Sequence, residues 1–221
     1  MDYLGLALFA EGPTDHRFLQ PLLYRLCEDI CVSRAARPVE VSPVLDLHSL
    51  PGTSGVSRDE RIEESARAAA SAWRILFIHS DGEGDSVAAI RECVAPAITR
   101  VESLYGGKRR CVAVVPVREV EAWAVADGDA LREAFGTTLS DHELGVPTPT
   151  HLAESIRDPK QTLRQAHLAT NPTRSSSRAG HAAFLSALGE RVSFDVLRRL
   201  PSFAQMERCL VEAMHSLHLL A

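Results

Sequence analysis

The chain is predicted to be an α/β protein: a mostly parallel sheet of about four strands flanked by helices, followed by a helical C-terminal extension. Three observations predict it. Four apolar, β-favouring runs alternate with stretches whose apolar residues recur at helical spacing. Such alternation demands right-handed crossovers, which lay the strands parallel and bring their carboxyl ends to one edge. The strand signal then fades from Gly128 onward, where Pro147-Thr148-Pro149, Asp158-Pro159 and Asn171-Pro172 punctuate helical stretches. The expected division is an α/β domain over 1–130 and a helical extension over 131–221 packed on it.

The first strand is the apolar run Leu4, Leu6, Ala7, Leu8, Phe9, Ala10, closed by the turn Gly12-Pro13. Glu11 stands at its carboxyl end, the edge where ligands gather in open parallel sheets. Thr14 is the expected N-cap of the following helix, and Asp15 suits its first turn. Phe18, Leu19, Leu22, Leu23, Leu26 and Ile30 share one face of that helix, with a kink or restart expected at Pro21. Val39, Val41, Val44, Leu45 and Leu47 suggest a second strand, with Pro43 weakening it or placing it near an edge of the sheet. Asp46 and His48 fall near its end. The following glycines resemble a phosphate cradle, but the G-K-[ST] ending of a P-loop is missing, so no ATPase activity is assigned.

Ser57 and Glu60 form a capping box, after which Ile62, Ala66, Ala69, Ala70 and Trp73 repeat at helical spacing. Arg74 to His79 is the strongest strand signal, and the acidic, glycine-rich turn Ser80-Asp81-Gly82-Glu83-Gly84-Asp85 follows it. Ser86 is the expected cap of the next helix, with a stripe of Val87, Ile90, Val94, Ile98, Val101 and Leu104 interrupted by Pro96. Lys108, Arg109 and Arg110 lead into a fourth strand over Cys111 to Val117. Arg118-Glu119-Val120-Glu121-Ala122-Trp123 then opens another helix. The last helix carries Phe203, Met206, Leu210, Met214 and Leu217 on one face, and a mobile polar loop is expected from Thr173 to Gly180.

Composition narrows the function. At 221 residues and 45% hydrophobic content the chain can bury a sizeable core. A formal net charge of -5 excludes a global basic footprint for nucleic acid and leaves only local patches. No apolar stretch approaches the ~20 residues of a membrane helix, so no membrane and a cytoplasmic location are expected. Five cysteines without C-x-x-C spacing read as reduced core thiols, and no zinc site is expected.

Three acidic turns converging on one sheet edge repel one another. They therefore raise some pKa values or recruit a divalent cation, and oxygen donors favour Mg²⁺ or Mn²⁺. Glu11, Asp81 and Glu83 are the carboxylates expected to bind the ion directly. Asp85, Glu119 and Glu121 are candidates for a second ion or ligated waters, and Asp15 and His79 for supporting roles. The remaining histidines belong to no motif. Trp123 fits a core position or a base stack, its helical context favouring core. Lys108, Arg109, Arg110, Arg174 and Arg178 are candidate phosphate contacts.

The runs FAEGPTDHRFL and FIHSDGEGD, placed after the first and third strands, resemble the Toprim domain of topoisomerases, bacterial primases and OLD-type nucleases. With VPVREVEAWAVAD and PSFAQMERCL added, the pattern is similar to an uncharacterised Toprim-like bacterial family found beside AAA-type ATPases in defence-related operons. The resemblance implies a Toprim-like, Rossmann-like sheet and maps magnesium chemistry onto Glu11, Asp81 and Glu83, with Glu83 standing where that pattern has aspartate. It maps the E-A-W-x-x-A-D stretch onto Glu121, Trp123 and Asp127. The implied function is a Mg²⁺-dependent nuclease acting on DNA or RNA with an AAA-type ATPase partner. The alternatives are a regulatory or scaffold subunit with a degenerate site, and a small-molecule phosphohydrolase. No topoisomerase activity is implied, because Tyr3, Tyr24 and Tyr105 lie in no cleavage module.

Overall fold

A computed structural model of the chain describes residues 2–48, 55–173 and 180–221. Its centre is a four-stranded, all-parallel sheet in the order β2-β1-β3-β4, built from β1 (Asp2–Phe9), β2 (Val39–Leu47), β3 (Ile75–His79) and β4 (Arg110–Val114). β1 and β3 are central, and from Leu4 and Ile75 respectively they are buried to their ends, which is why they read as continuous apolar runs. β2 is an edge strand, where Pro43 costs no ladder partner on its open side. A register shift in β1 between Leu4 and Leu6 is bridged by Leu6 N, which donates to Ser42 Oγ at 3.0 Å. β4 ends at Val114 rather than Val117; the chain turns away there toward a short helix, α5 (Glu121–Ala124), after which come α6 (Gly128–Phe135) and α7 (Asp141–Leu144).

Each sheet face carries its own apolar layer. Leu4, Leu6, Leu8, Ile75 and Phe77 face α1 (Pro13–Arg34), the helix Leu185–Arg191 and the C-terminal helix Pro201–Ser216. Ala7, Phe9, Leu76 and Ile78 face α2 (Arg58–Ala68) and α4 (Ala95–Ser103). The larger cluster runs without a break from the sheet into the C-terminal residues, joining Leu4 and Phe77 to Leu163, Leu188 and Leu210. Trp123 lies within it, donating from Nε1 to Ser202 Oγ at 3.0 Å and meeting Phe203 edge-on, so it is a core residue and not a base-stacking platform.

Local details correct several expectations. α1 runs as one helix through Pro21, and its N-cap is Gly12 rather than Thr14, with Gly12 N donating to Asp15 Oδ2 at 2.9 Å. The Ser57–Glu60 capping box is present at the start of α2. The helix after β3 opens as α3 (Ser86–Ala89), passes through a π turn at Ile90–Val94 and continues as α4. Pro96 falls in the first turn of α4, where its missing N–H costs least. The buried residues there are Val94, Ala97 and Val101, while Val87 and Leu104 of the expected stripe are exposed. Cys93 and Cys209 are exposed free thiols rather than core ones. The loop expected over 48–55 and the one over 173–180, including Arg174 and Arg178, fall largely outside the described residues. Among the described residues no helix is long and apolar enough to cross a membrane.

Gly5 marks the tightest backbone approach in the sheet. A Cβ there would stand 2.2 Å from the Ala72 carbonyl oxygen, and the Gly5 carbonyl accepts from Arg74 N at 2.8 Å. Gly5→Ala is therefore expected to destabilise the fold by about 1–3 kcal/mol, the usual cost of overpacking, as read by urea denaturation.

Candidate functional site

The carboxyl ends of β1, β3 and β4 open into a cleft of about 1500 Å³. Glu11, Asp81, Glu83, Asp85 and Glu119 line its sheet side, and Arg157, Lys160 and Arg164, from α8 (Pro159–Ala169) and the turn before it, line the other. Two turns build the sheet side. The turn after β3 is stitched to the one after β4 by Gly82 N, which donates to Arg118 O at 3.0 Å, and by Gly84 N, which donates to Val117 O at 2.7 Å. Only glycine fits at position 82, because a Cβ would meet the Pro116 oxygen at 2.3 Å. Glu83 adopts a left-handed backbone at φ 48°, a strained conformation for a non-glycine residue, and its exposed carboxylate belongs to the cleft lining.

Glu11 is held by two neighbours. Ser80 Oγ donates to its Oε1 at 2.9 Å, and Arg58 Nη2 lies 3.7 Å from the same oxygen. Arg58 is itself anchored, donating to Cys93 O at 2.6 Å and to the His79 carbonyl, and burial lowers its pKa.

Behind the cleft floor, His79 is fully buried between two acids, with Nδ1 3.7 Å from Asp15 Oδ2 and Nε2 3.5 Å from Asp81 Oδ1. Neither nitrogen makes a hydrogen bond. Burial, with the positive charges of Arg58, His16 and Lys160, pulls its pKa down to about 3, so the ring is neutral. The acids move the opposite way. Burial, reinforced by Asp15 and Glu11, pushes Asp81 up to about 7, and burial raises Asp15. Glu121 is completely buried with both carboxylate oxygens unpaired, and burial pushes it up to about 7 as well. Lys160 is the counter-charge to this group: its Nζ donates to Glu119 Oε1 at 2.8 Å, and its field lowers the pKa of both Asp81 and Glu121.

The structure thus gathers Glu11, Asp81, Glu83, Asp85 and Glu119 on one cleft, with Asp15, His79 and Glu121 behind them. It does not draw the expected ligands Glu11, Asp81 and Glu83 to common ligand distance. Among the described residues, the one set of three donor atoms within 4.8 Å of one another is His16, Asp46 and His48. Asp85 is the N-cap of α3, accepting from Ala88 N at 2.9 Å in the place expected for Ser86.

Lys108 and Arg109 precede β4 and Arg110 opens it, at the amino-terminal end of the strand and so at the opposite edge of the sheet, and they are not contacts for this cleft. Arg109 donates to the Trp73 and Ala70 carbonyls with its guanidinium over the Tyr105 ring at 4.4 Å, and Arg110 pairs with Glu102 at 3.8 Å. The cations that do reach the site are Arg58, Arg118, Arg157, Lys160 and Arg164, none of them singled out by the sequence as phosphate contacts. Asp158-Pro159 signals the start of α8, with Asp158 as its N-cap, but not that this helix docks across the acidic edge. Comparison with family models, curated proteins and solved structures finds no match for the chain.

Proposed function

We propose that the chain is a Mg²⁺- or Mn²⁺-dependent nuclease of the Toprim type that its motifs resemble, hydrolysing phosphodiester bonds of DNA or RNA. The observation that carries this reading is Glu121: a fully buried carboxylate with two unpaired oxygens, which shares the neighbours Lys160, Glu119 and Asp15 with Asp81, whose Oδ1 is also unpaired. An unpaired buried carboxylate is costly, and either a proton or a cation relieves it. The donors here are carboxylate oxygens, a set that suits Mg²⁺ or Mn²⁺. Glu11, Asp81 and Glu121 would hold the ion only by drawing together, since their carboxylates do not stand at common ligand distance here, with Glu83 and Glu119 within the same cleft. Bound there, a divalent cation supplies Lewis-acid polarisation of a phosphoryl oxygen and acidifies water.

The chain's own groups do the remaining work. Arg157, Lys160 and Arg164 give the acidic edge a basic wall suited to a phosphate backbone, which reconciles a net charge of -5 with a nucleic-acid substrate. Ser80 and Arg58 orient Glu11. His79, neutral and buried, separates Asp15 from Asp81 without adding charge. An AAA-type ATPase partner in a bacterial defence system is part of this proposal and rests on the resemblance.

The test is incubation of plasmid, single-stranded DNA and RNA with the purified chain in Mg²⁺, Mn²⁺ or EDTA. Metal-dependent cutting supports the proposal; intact substrates in every condition, with the ATPase partner also present, overturn it. A non-catalytic scaffold or regulatory subunit is the second reading, favoured by the wide spacing of the acids and by Lys160 already standing among them.

Lys160 separates the two. As a tethered cation near the ion's site, it repels Mg²⁺ by ~1–2 kcal/mol over ~4–8 Å at the water-like dielectric constant of ~80 of an open, solvated cleft. Lys160→Gln is therefore expected to tighten Mg²⁺ binding at pH 8 by roughly tenfold in calorimetry. A degenerate site would show no Mg²⁺ binding in either protein.

A further inference from the structure

We infer a second metal site, for a borderline divalent cation such as Zn²⁺, formed by His16, Asp46 and His48. This site lies outside the acidic cleft and does not depend on the nuclease reading. Asp46 and His48 stand two residues apart at the end of edge strand β2, so they project to the same side, while Leu47 between them is buried. His16, in the first turns of α1, meets them there. Its Nδ1 lies 2.7 Å from Asp46 Oδ1, and His48 Nε2 lies 3.2 Å from Asp46 Oδ2, with the two rings 5.5 Å apart.

Two features distinguish the group from an ordinary ion pair. The donor atoms of all three side chains fall within 4.8 Å of one another, the spread that ligands of one ion occupy. His16 Nδ1 and Asp46 Oδ1, though close, are misaligned for a hydrogen bond, and both are buried atoms without a partner. His16 is itself only 6% exposed, so water does not satisfy it. A cation accepting both atoms removes that penalty.

The donor set decides the metal. Two imidazoles and one carboxylate suit Zn²⁺ and its transition-metal neighbours over Mg²⁺ or Ca²⁺, and three protein ligands leave one tetrahedral position open to water. No cysteine takes part, so cysteine spacing could not reveal the site. A bound ion would fasten α1 to the free edge of the sheet.

The experiment titrates the untagged full chain, freed of metal, with Zn²⁺ by calorimetry and with Co²⁺ by visible absorption. Wild type, His48→Ala and Asp81→Asn are compared. His48 is mostly exposed, so its removal leaves the fold intact. One equivalent of Zn²⁺, a Co²⁺ spectrum of tetrahedral type, and affinity lowered by about tenfold or more in His48→Ala but kept in Asp81→Asn are expected. Equal affinity in wild type and His48→Ala, or no stoichiometric binding, overturns the site. Loss in Asp81→Asn alone would move the ion to the acidic cleft and likewise overturn it. Absence of nuclease activity leaves this result untouched.

Discussion

Asp81→Asn is expected to reduce Mg²⁺-dependent phosphodiester cleavage by about a thousandfold while the protein remains folded. The substitution keeps the size of the side chain and removes the charge that a cation and its activated water depend on. Metal stabilisation of a phosphoryl transition state is worth several kcal/mol, and ~4 kcal/mol corresponds to that factor. The fold survives because Asp81 contributes no hydrogen bond through its buried Oδ1 and stands among Asp15, Glu11 and Glu119, which all repel its charge. Cleavage rates and circular dichroism on the same samples check both halves. Undiminished cutting in Asp81→Asn, and likewise in Glu11→Gln, contradicts the assigned roles.

Glu121→Gln is expected to change how stability depends on pH. In the folded protein burial holds Glu121 near 7, whereas an unfolded glutamate titrates at 4.5. Between those values the native state binds the extra proton, so metal-free wild type loses stability as pH rises from about 4.5 through 7. Asp81, also raised to about 7, adds to the same slope. Glutamine has no proton to lose, so the mutant's contribution at this position is constant. Between pH 5 and pH 8 the stability difference should shift in the mutant's favour by on the order of 2 kcal/mol. Urea denaturation in EDTA at the two pH values measures it. Parallel pH profiles would show that Glu121 is not held protonated by burial.

Much of the fold is legible in the chain because parallel strands covered on both faces need unbroken apolar runs. Leu4 to Phe9 and Ile75 to His79 could be little else, and of the two readings Pro43 allowed, a weakened strand or an edge strand, β2 is at the edge. The Ser57–Glu60 capping box was equally local. The π turn at Ile90–Val94 was not, since Pro96 signals an interruption without specifying its geometry, and the buried face moved onto Ala97. In the site, Glu11, Asp81 and Glu83 followed from their places at strand ends. Lys160 and Arg58 did not, because their membership depends on how α8 and α2 dock. Arg109 shows the converse: a basic run resembles a phosphate patch until Trp73 and Tyr105 are seen to occupy the guanidinium. His16 and His48 escaped any motif because one lies on a helix and the other past a strand, and only the packing of α1 on the sheet joins them.

The most direct test of the acidic cleft as a metal centre is Mg²⁺ calorimetry at pH 8 on wild type beside Asp81→Asn and Glu121→Gln. Mg²⁺ is the right probe because the imidazole-bearing site disfavours it. Saturable binding in wild type, lost or weakened at least about tenfold in both variants, is the predicted result. Absence of Mg²⁺ binding in wild type, or unchanged binding in both variants, would contradict the account.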